Sequence, residues 1–306
     1  MVNKKVRKIN AIKTNSVLHN LQKKISNNFL DNIPLADCVC GFVKGKNYLD
    51  FLLPHCGSKF YLKVDIKDFF NSLKESLVRD TLSEYVDIKN REEKDRVLKE
   101  LIYITTLNGS VPLGAITSPQ LSNLLLRRID LRIKKYCEKF NVIYTRYADD
   151  MLFSSNNQEV AKPFFLGRLK DILIDFELKI NSKKTIIAEN KIILNGYVIS
   201  SRVTLTRNKM KKLNTLLYTF EYKSGVKRYP RTFNEFLQRL KTVNEELFDL
   251  SKSIPETRIQ IINYLAGYRA FLLSFNKSSI KDYTCDFSKK IKRTEKMLDI
   301  LSDIRY

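Results

Sequence analysis

Asn141-Val-Ile-Tyr-Thr-Arg-Tyr-Ala-Asp-Asp-Met-Leu-Phe-Ser-Ser155 is the stretch that decides the fold. Residues 141–146 and 151–155 are rich in the β-branched and aromatic side chains that favour strands, so the stretch predicts a hairpin with Tyr147-Ala148-Asp149-Asp150 at its tip. Two like charges there repel each other and destabilise the fold unless something compensates them. A bound divalent cation removes the repulsion, although an Asp-Asp pair also marks many ordinary solvated turns. A third carboxylate raises the value of the pair: Asp65 ends another apolar strand, Phe60-Tyr-Leu-Lys-Val-Asp65.

Working outward, apolar residues at helical spacing predict helices over residues 15–30, from Asp68 onward, over 91–107 and over 160–176. Another starts at Ser118-Pro119, with a cap-like Ser and Pro at the first position, and carries Leu121, Leu124, Leu125, Ile129 and Ile133 on one face. A short strand is expected at Leu178-Lys-Ile-Asn181 and a hairpin around residues 192–199. From Asn208 the periodicity is helical throughout, with turn signals near Gly225 and Pro255. The fold class is therefore α+β: a middle region of order β-α-α-ββ-α-β, a split βαβ arrangement on an antiparallel sheet, followed by an all-helical part. The change of domain is expected near residue 201, giving domains 1–201 and 202–306.

The chain has 306 residues and a formal net charge of +22, extreme for its size. Such a field attracts polyanions, nucleic acid above all. Between Arg202 and Arg231 lie nine basic residues against one acid, Glu221, with Tyr218, Phe220, Tyr222 and Tyr229 interleaved. Cations for phosphates and aromatic faces for bases suit single strands and duplex edges, while core packing is the competing use of each ring. Five cysteines show no metal-site spacing, and an odd count with no signal peptide fits a reducing cytoplasm. No apolar run approaches a membrane span, so no membrane partner is expected. With only His19 and His55, histidine-based catalysis is disfavoured.

Carboxylates from separate strands converging in a basic protein suggest two-metal phosphoryl or nucleotidyl transfer. Mg²⁺ suits it, because that ion takes few protein carboxylates and completes its shell with phosphate oxygens and water. No GxxxxGK[ST] loop is present, which counts against P-loop hydrolases.

In order, residues 64–70 (Val-Asp-Ile-Lys-Asp-Phe-Phe), 112–119 (Pro-Leu-Gly-Ala-Ile-Thr-Ser-Pro), 144–150 (Tyr-Thr-Arg-Tyr-Ala-Asp-Asp) and 178–184 (Leu-Lys-Ile-Asn-Ser-Lys-Lys) resemble the A, B, C and D motifs of reverse transcriptases. Residues 194–200 resemble the primer-grip hairpin that follows, and 263–269 a thumb segment of bacterial members. The wording around Tyr147 is similar to that of retron reverse transcriptases and their defence-associated relatives. Two retron signatures are reduced: of NAxxH only His55 remains, and of VTG only Gly196.

The resemblance implies a right-hand polymerase, with fingers and palm to about residue 201 and then a helical, nucleic-acid-binding thumb. It implies that Asp65 and Asp149 hold two Mg²⁺ ions, with Asp150 the third catalytic and metal-site carboxylate. Asp68 falls where the family's backbone packs on the triphosphate, and Phe70 at the steric gate that favours dNTPs. Gly114 and Ser118 would lie under the incoming nucleotide and template. Leu113 stands where the family commonly has Gln. Lys183 or Lys184 is placed to protonate pyrophosphate, and Arg7 and Lys8 match an element that clamps the triphosphate. By the same resemblance Tyr147, Asn195, Gly196, Arg202, Arg207 and Lys211 would be the primer and template contacts. His55 reads as a structural or RNA-facing residue.

The implied activity is RNA-directed DNA synthesis from dNTPs, giving cDNA from an associated non-coding RNA that serves as template, primer or both, with antiphage defence as the setting. The length leaves no room for RNase H, integrase or endonuclease domains, so a separate effector protein is expected. Two alternatives stay open: untemplated or repetitive DNA synthesis, and a catalytically silent RNA-binding scaffold.

Overall fold

The computed structural model describes residue 9 and residues 12–243, 253–276 and 284–305. These divide into two compact units between Lys191 and Ile192. The first opens with α1 (Val17–Asn28) and the short α2 (Tyr48–Leu52), followed by β1 (Phe60–Asp65). Next come α3 (Phe69–Ser72), α4 (Glu75–Tyr85), α5 (Arg91–Thr105) and the long α6 (Ser118–Glu138). The hairpin β2 (Ile143–Tyr147) and β3 (Asp150–Ser155), then α7 (Pro163–Ile174) and β4 (Ile186–Glu189), complete it.

The four strands form an antiparallel sheet of order β2-β3-β1-β4. Leu62, Val64, Met151 and Phe153 alternate onto one face and join the buried core with Leu121, Leu124, Leu125, Ile129 and Ile133 of α6. Period-2 alternation sends Lys63, Asp65, Asp150 and Leu152 to the opposite face, which carries the acids.

Two expectations need correction. Residues 178–181 are not a strand: Ile180 makes only an isolated bridge to Ile66, because Asn181 turns its amide and side chain onto Asp65. The fourth strand is Ile186–Glu189 instead. Ser118 is no cap either. It is the first helical residue, preceded by Thr117, and its hydroxyl donates to the Pro112 carbonyl at 2.6 Å.

The second unit begins with a three-stranded sheet, β5 (Ile192–Leu194), β6 (Tyr197–Ile199) and β7 (Val203–Leu205), whose last strand was not expected. Its contacts explain why the division falls before residue 201. Val203 bridges Thr284, and Tyr197 stacks on Phe275 at 6.1 Å between centroids. Helices α8 (Arg207–Glu221), α9 (Phe233–Val243), α10 (Ile254–Leu273) and α11 (Ser288–Asp303) follow. The helical run is interrupted by a small hairpin, β8 (Tyr222–Lys223) and β9 (Val226–Lys227), where Ser224 and Gly225 both take positive φ. No helix among the described residues is long and apolar enough to cross a membrane.

Candidate active site

Asp65 and Asp150 are direct cross-strand partners at the ends of β1 and β3, and the Ile66 amide donates to the Asp149 carbonyl at 3.1 Å. All three predicted carboxylates therefore meet at one end of the sheet. Asp65 is buried and accepts hydrogen bonds from Asn181 Nδ2 (3.0 Å) and Lys184 Nζ (2.8 Å). The buried Lys63 lies 2.5 Å from Asp150 Oδ1 and 3.7 Å from Asp65 Oδ2. Burial, then the charges of Asp150 and Asp65, push the Asp149 carboxyl above the usual aspartate range. The hydrogen bond to Asp65 holds the Lys184 ammonium above its ordinary value. The repulsion expected from the sequence is thus present, with two lysines compensating part of it.

The hairpin tip is strained and buttressed. Ala148 sits at φ 56°, a left-handed conformation costing an alanine about 1–2 kcal/mol. The fully buried Arg146 guanidinium donates to Asp130 from Nε (2.8 Å) and Nη2 (2.7 Å) and, through Nη1, to Asn123 Oδ1 and the Ala148 carbonyl (each 3.1 Å). Tyr144 donates to Asp130 at 2.8 Å. Burial works against the Arg146 charge, and Asp130 more than offsets it, so its affinity for a proton rises.

From outside the sheet, the Arg146 amide donates to the Cys38 carbonyl and the Cys40 amide to the Arg146 carbonyl, each at 2.8 Å. Gly41 passes so close that a Cβ there would lie 2.5 Å from the Ala148 nitrogen. Asn123 Nδ2 donates to the Gly41 carbonyl at 2.9 Å.

On the acid-bearing face, His55 is fully buried. Thr145 Oγ1 donates to the Phe51 carbonyl (2.8 Å), so it accepts from His55 Nε2–H (2.8 Å). Ser154 Oγ then donates to Nδ1 at 2.7 Å. Burial pushes the imidazole down to about 3, so it is neutral. Both ring nitrogens of His55 are thus taken by hydroxyls of the sheet, a structural role. Tyr147 is half-buried, its ring against Tyr48 (5.0 Å) and Phe51 (5.9 Å) of α2.

The remaining predicted residues are dispersed. Asp68 is exposed in a left-handed conformation (φ 48°) at the start of α3, and Phe70 is half-buried against Phe69 and the core. Gly114 is exposed in the loop leading to α6, and Ser118 is buried at the first position of that helix. Arg7 and Lys8 lie outside the described residues. In the second unit, Asn195 (φ 50°) and Gly196 (φ 82°) form the β5–β6 turn, and Arg202, Arg207 and Lys211 are exposed. Lys209 donates to the Asn195 carbonyl (3.2 Å) and sits 3.9 Å over the Tyr197 ring. Lys212 lies over Tyr264 at 4.8 Å. Of the interleaved aromatics, Phe220 is core, whereas Tyr218 is exposed and stacks on Tyr222 at 5.1 Å.

Sequence reading passed over Lys63, Asn123, Asp130, Arg146 and Gly41. For Lys63 a signal existed, since a lysine two residues before Asp65 in an apolar strand shares its face.

Among the described residues no group of three or more His, Cys, Asp or Glu side chains is already assembled as a metal centre. The acids are drawn instead into ion pairs with Lys63 and Lys184. The donors nonetheless suit a hard divalent cation. They are carboxylate oxygens only, Asp150 and Asp65 lie close enough to Asp149 to raise it, and a positive group already bridges two of them.

Residues 2–199 match the family model described as reverse transcriptase (RNA-dependent DNA polymerase). Retron Ec86 reverse transcriptase of Escherichia coli is 31% identical over 205 residues, 65% of this chain and 61% of that protein. Retron Ec73 reverse transcriptase of Escherichia coli is 30% identical over 207 residues, 63% of this chain and 66% of that one. The chain thus spans less than two thirds of the length of these relatives. Among solved structures, apo telomerase from Candida tropicalis aligns at TM-score 0.45 and 14% identity, covering 81% of this chain and 47% of that one.

Proposed function

The chain belongs to the reverse transcriptase (RNA-dependent DNA polymerase) family, with similarity to its retron members, and from that membership we propose that it is an RNA-directed DNA polymerase making cDNA from dNTPs on an associated non-coding RNA. The observation that carries this reading is the register of Asp65 opposite Asp150, with Asp149 beside them at a braced hairpin tip. A silent scaffold has no use for three mutually repelling carboxylates held together.

Asp65, Asp149 and Asp150 would hold two Mg²⁺ ions. Such ions supply activation of the primer hydroxyl and charge for the departing pyrophosphate. The chain's own work is positioning. Asn181 and Lys184 fix the orientation of the Asp65 carboxylate, and the half-exposed Lys184 can turn from it to meet a phosphate. The Phe70 ring, supported by Phe69 and the core, crowds a ribose 2′-hydroxyl. Tyr147, packed on Tyr48 and Phe51, supports the primer end. Asp68, Gly114 and Ser118 border the nucleotide, and Arg7 and Lys8 clamp its triphosphate. Residues to about 201 form fingers and palm and the rest the thumb, and the second compact unit contributes the nucleic-acid surface. There Arg202, Arg207 and Lys211 are exposed, and Asn195 and Gly196 shape the turn. Antiphage defence with a separate effector follows the likeness to retron proteins.

The test is extension of a primed RNA template by purified protein with dNTPs and Mg²⁺. Wild type yields a complementary cDNA, and Asp149→Asn yields none while still retaining RNA. Product of unchanged amount from Asp149→Asn, or a product unrelated to the template, refutes the reading.

A further inference from the structure

Lys63 is a charge that neither the motif nor the family match explains. It sits mid-strand in β1, flanked by β3 and β4, where its backbone partners are Leu152 and Ile186. Only 8% of the residue is exposed, and its ammonium touches Asp150 Oδ1 at 2.5 Å and approaches Asp65 Oδ2 at 3.7 Å. The other lysine in the site differs in one decisive respect. The Lys184 side chain is 51% exposed, so it can leave Asp65 for water at little cost. Lys63 has no such exit, since only 10% of its side chain reaches water.

We propose that Lys63 is a built-in counter-ion of the carboxylate site, holding Asp150 and Asp65 together in the metal-free protein and competing with an arriving divalent cation for them, so that it sets the affinity of the site for that cation. This rests on the reading of the three aspartates as a metal site. Three carboxylates left alone repel strongly in a partly buried place, and a single fixed positive charge lets them coexist before any ion arrives. The same charge then opposes every cation that enters. A unit charge about 4 Å away at the effective dielectric of protein sites is strong enough that removing it should tighten binding at least about tenfold. The consequence for the enzyme is a site that is stable when empty and takes its ions weakly, so that occupancy is completed with the help of substrate phosphates.

The experiment is calorimetric titration of the full chain with Mn²⁺, without nucleotide or nucleic acid, on wild type, Lys63→Met, Asp149→Asn and the pair Asp150→Asn and Lys63→Met/Asp150→Asn. The expected result is at least about tenfold tighter Mn²⁺ binding by Lys63→Met, a lower melting temperature of that variant without metal, and recovery of the loss when Mn²⁺ is added. In the Asp150→Asn background the gain from Lys63→Met should shrink. It should also persist at high salt, where any effect of Lys184→Met is screened away. Lys63→Gln, which keeps a donor but no charge, carries the same test should the methionine variant not fold. Unchanged or weaker Mn²⁺ affinity in the uncharged variants overturns the proposal and leaves the metal site standing. No Mn²⁺ binding by either wild type or Lys63→Met, with Asp149→Asn indistinguishable from both, overturns the metal-site reading and this inference with it.

Discussion

Replacing Asp130 by alanine removes the acceptor for two guanidinium bonds from Arg146 and for the Tyr144 hydroxyl, at a place where Asp130 and Arg146 are both fully buried. The guanidinium keeps its charge and has nowhere to put it, since Asn123 and the Ala148 carbonyl each accept only from Nη1. Breaking a buried pair by deleting one partner costs about 3–5 kcal/mol. That is a large share of the roughly 5–15 kcal/mol that holds a domain together. Urea unfolding of purified Asp130→Ala should show this loss, and DNA synthesis should be poor even at temperatures where the variant stays folded.

A second variant separates the two effects. Asp130→Leu with Arg146→Met and Tyr144→Phe removes all three polar partners together. Apolar replacement of a whole buried ionic cluster is often neutral or stabilising, so stability should return to within about 1–2 kcal/mol of wild type. Activity should not return, because the carbonyl of Ala148, next to Asp149, has lost the donor that fixes it. A cost under about 1 kcal/mol for Asp130→Ala would show that the ion pair does not hold the hairpin, on the scale of an exposed pair. Full activity in the triple variant would show that the tether to Ala148 is irrelevant to the site.

Gly41→Ala should cut DNA synthesis sharply while costing about 1–3 kcal/mol, since its new Cβ would lie 2.5 Å from the Ala148 backbone nitrogen and push the tip away; wild-type primer extension would refute this. His55 refuses in the folded state a proton that the unfolded chain accepts near pH 6.5, so stability should fall as pH drops below that value. By pH 5 the loss should be about 2 kcal/mol, and His55→Gln should flatten this slope in urea melts, whereas an equal slope in both proteins refutes it. Phe70→Ala should raise incorporation of rNTPs relative to dNTPs, and an unchanged ratio would return that ring to the core. RNA affinity should drop roughly 10³–10⁵-fold between about 50 and 200 mM salt if 6–10 phosphates are contacted, while a flat profile by filter binding would mean that the surplus charge lines no phosphate channel.

The acid-bearing strands were readable because local composition and period agree. Residues 60–65 and the run around Tyr147 are strand formers ending in Asp, and α6 shows its apolar face at every expected turn. The fourth strand was misread because 186–189, like 178–181, is a short run that a local pattern does not single out. What separates them is whether Asn181 keeps its amide for the sheet or gives it to Asp65, a long-range choice. Partnership of Arg146 with Asp130, 16 residues away on a helix, is equally invisible to a local window. The approach of Gly41 to Ala148 is a property of packed backbones and leaves no mark on the residues around either. Ser118 shows the opposite failure: a residue type that suits a cap is used instead to tie the preceding loop to its helix.

The hairpin can afford a left-handed alanine beside its acids because each face of β2 is pinned by a different kind of network. Tyr144 and Arg146 point to the helix side and converge on Asp130, an ionic network that fixes position through strong, directional bonds. Thr145 points to the other side and, with Ser154, holds His55 through hydroxyls alone. The difference in chemistry follows from what each face must tolerate. The acids share the His55 face, so a second ionic network there would add charge that competes for them. A neutral imidazole, kept so by burial, braces the strands and contributes none. The positive charge next to the carboxylates is thus left to Lys63 and Lys184, one enclosed and one free to swing. Rigid backbone with adjustable charge is the combination that phosphoryl transfer by positioning requires.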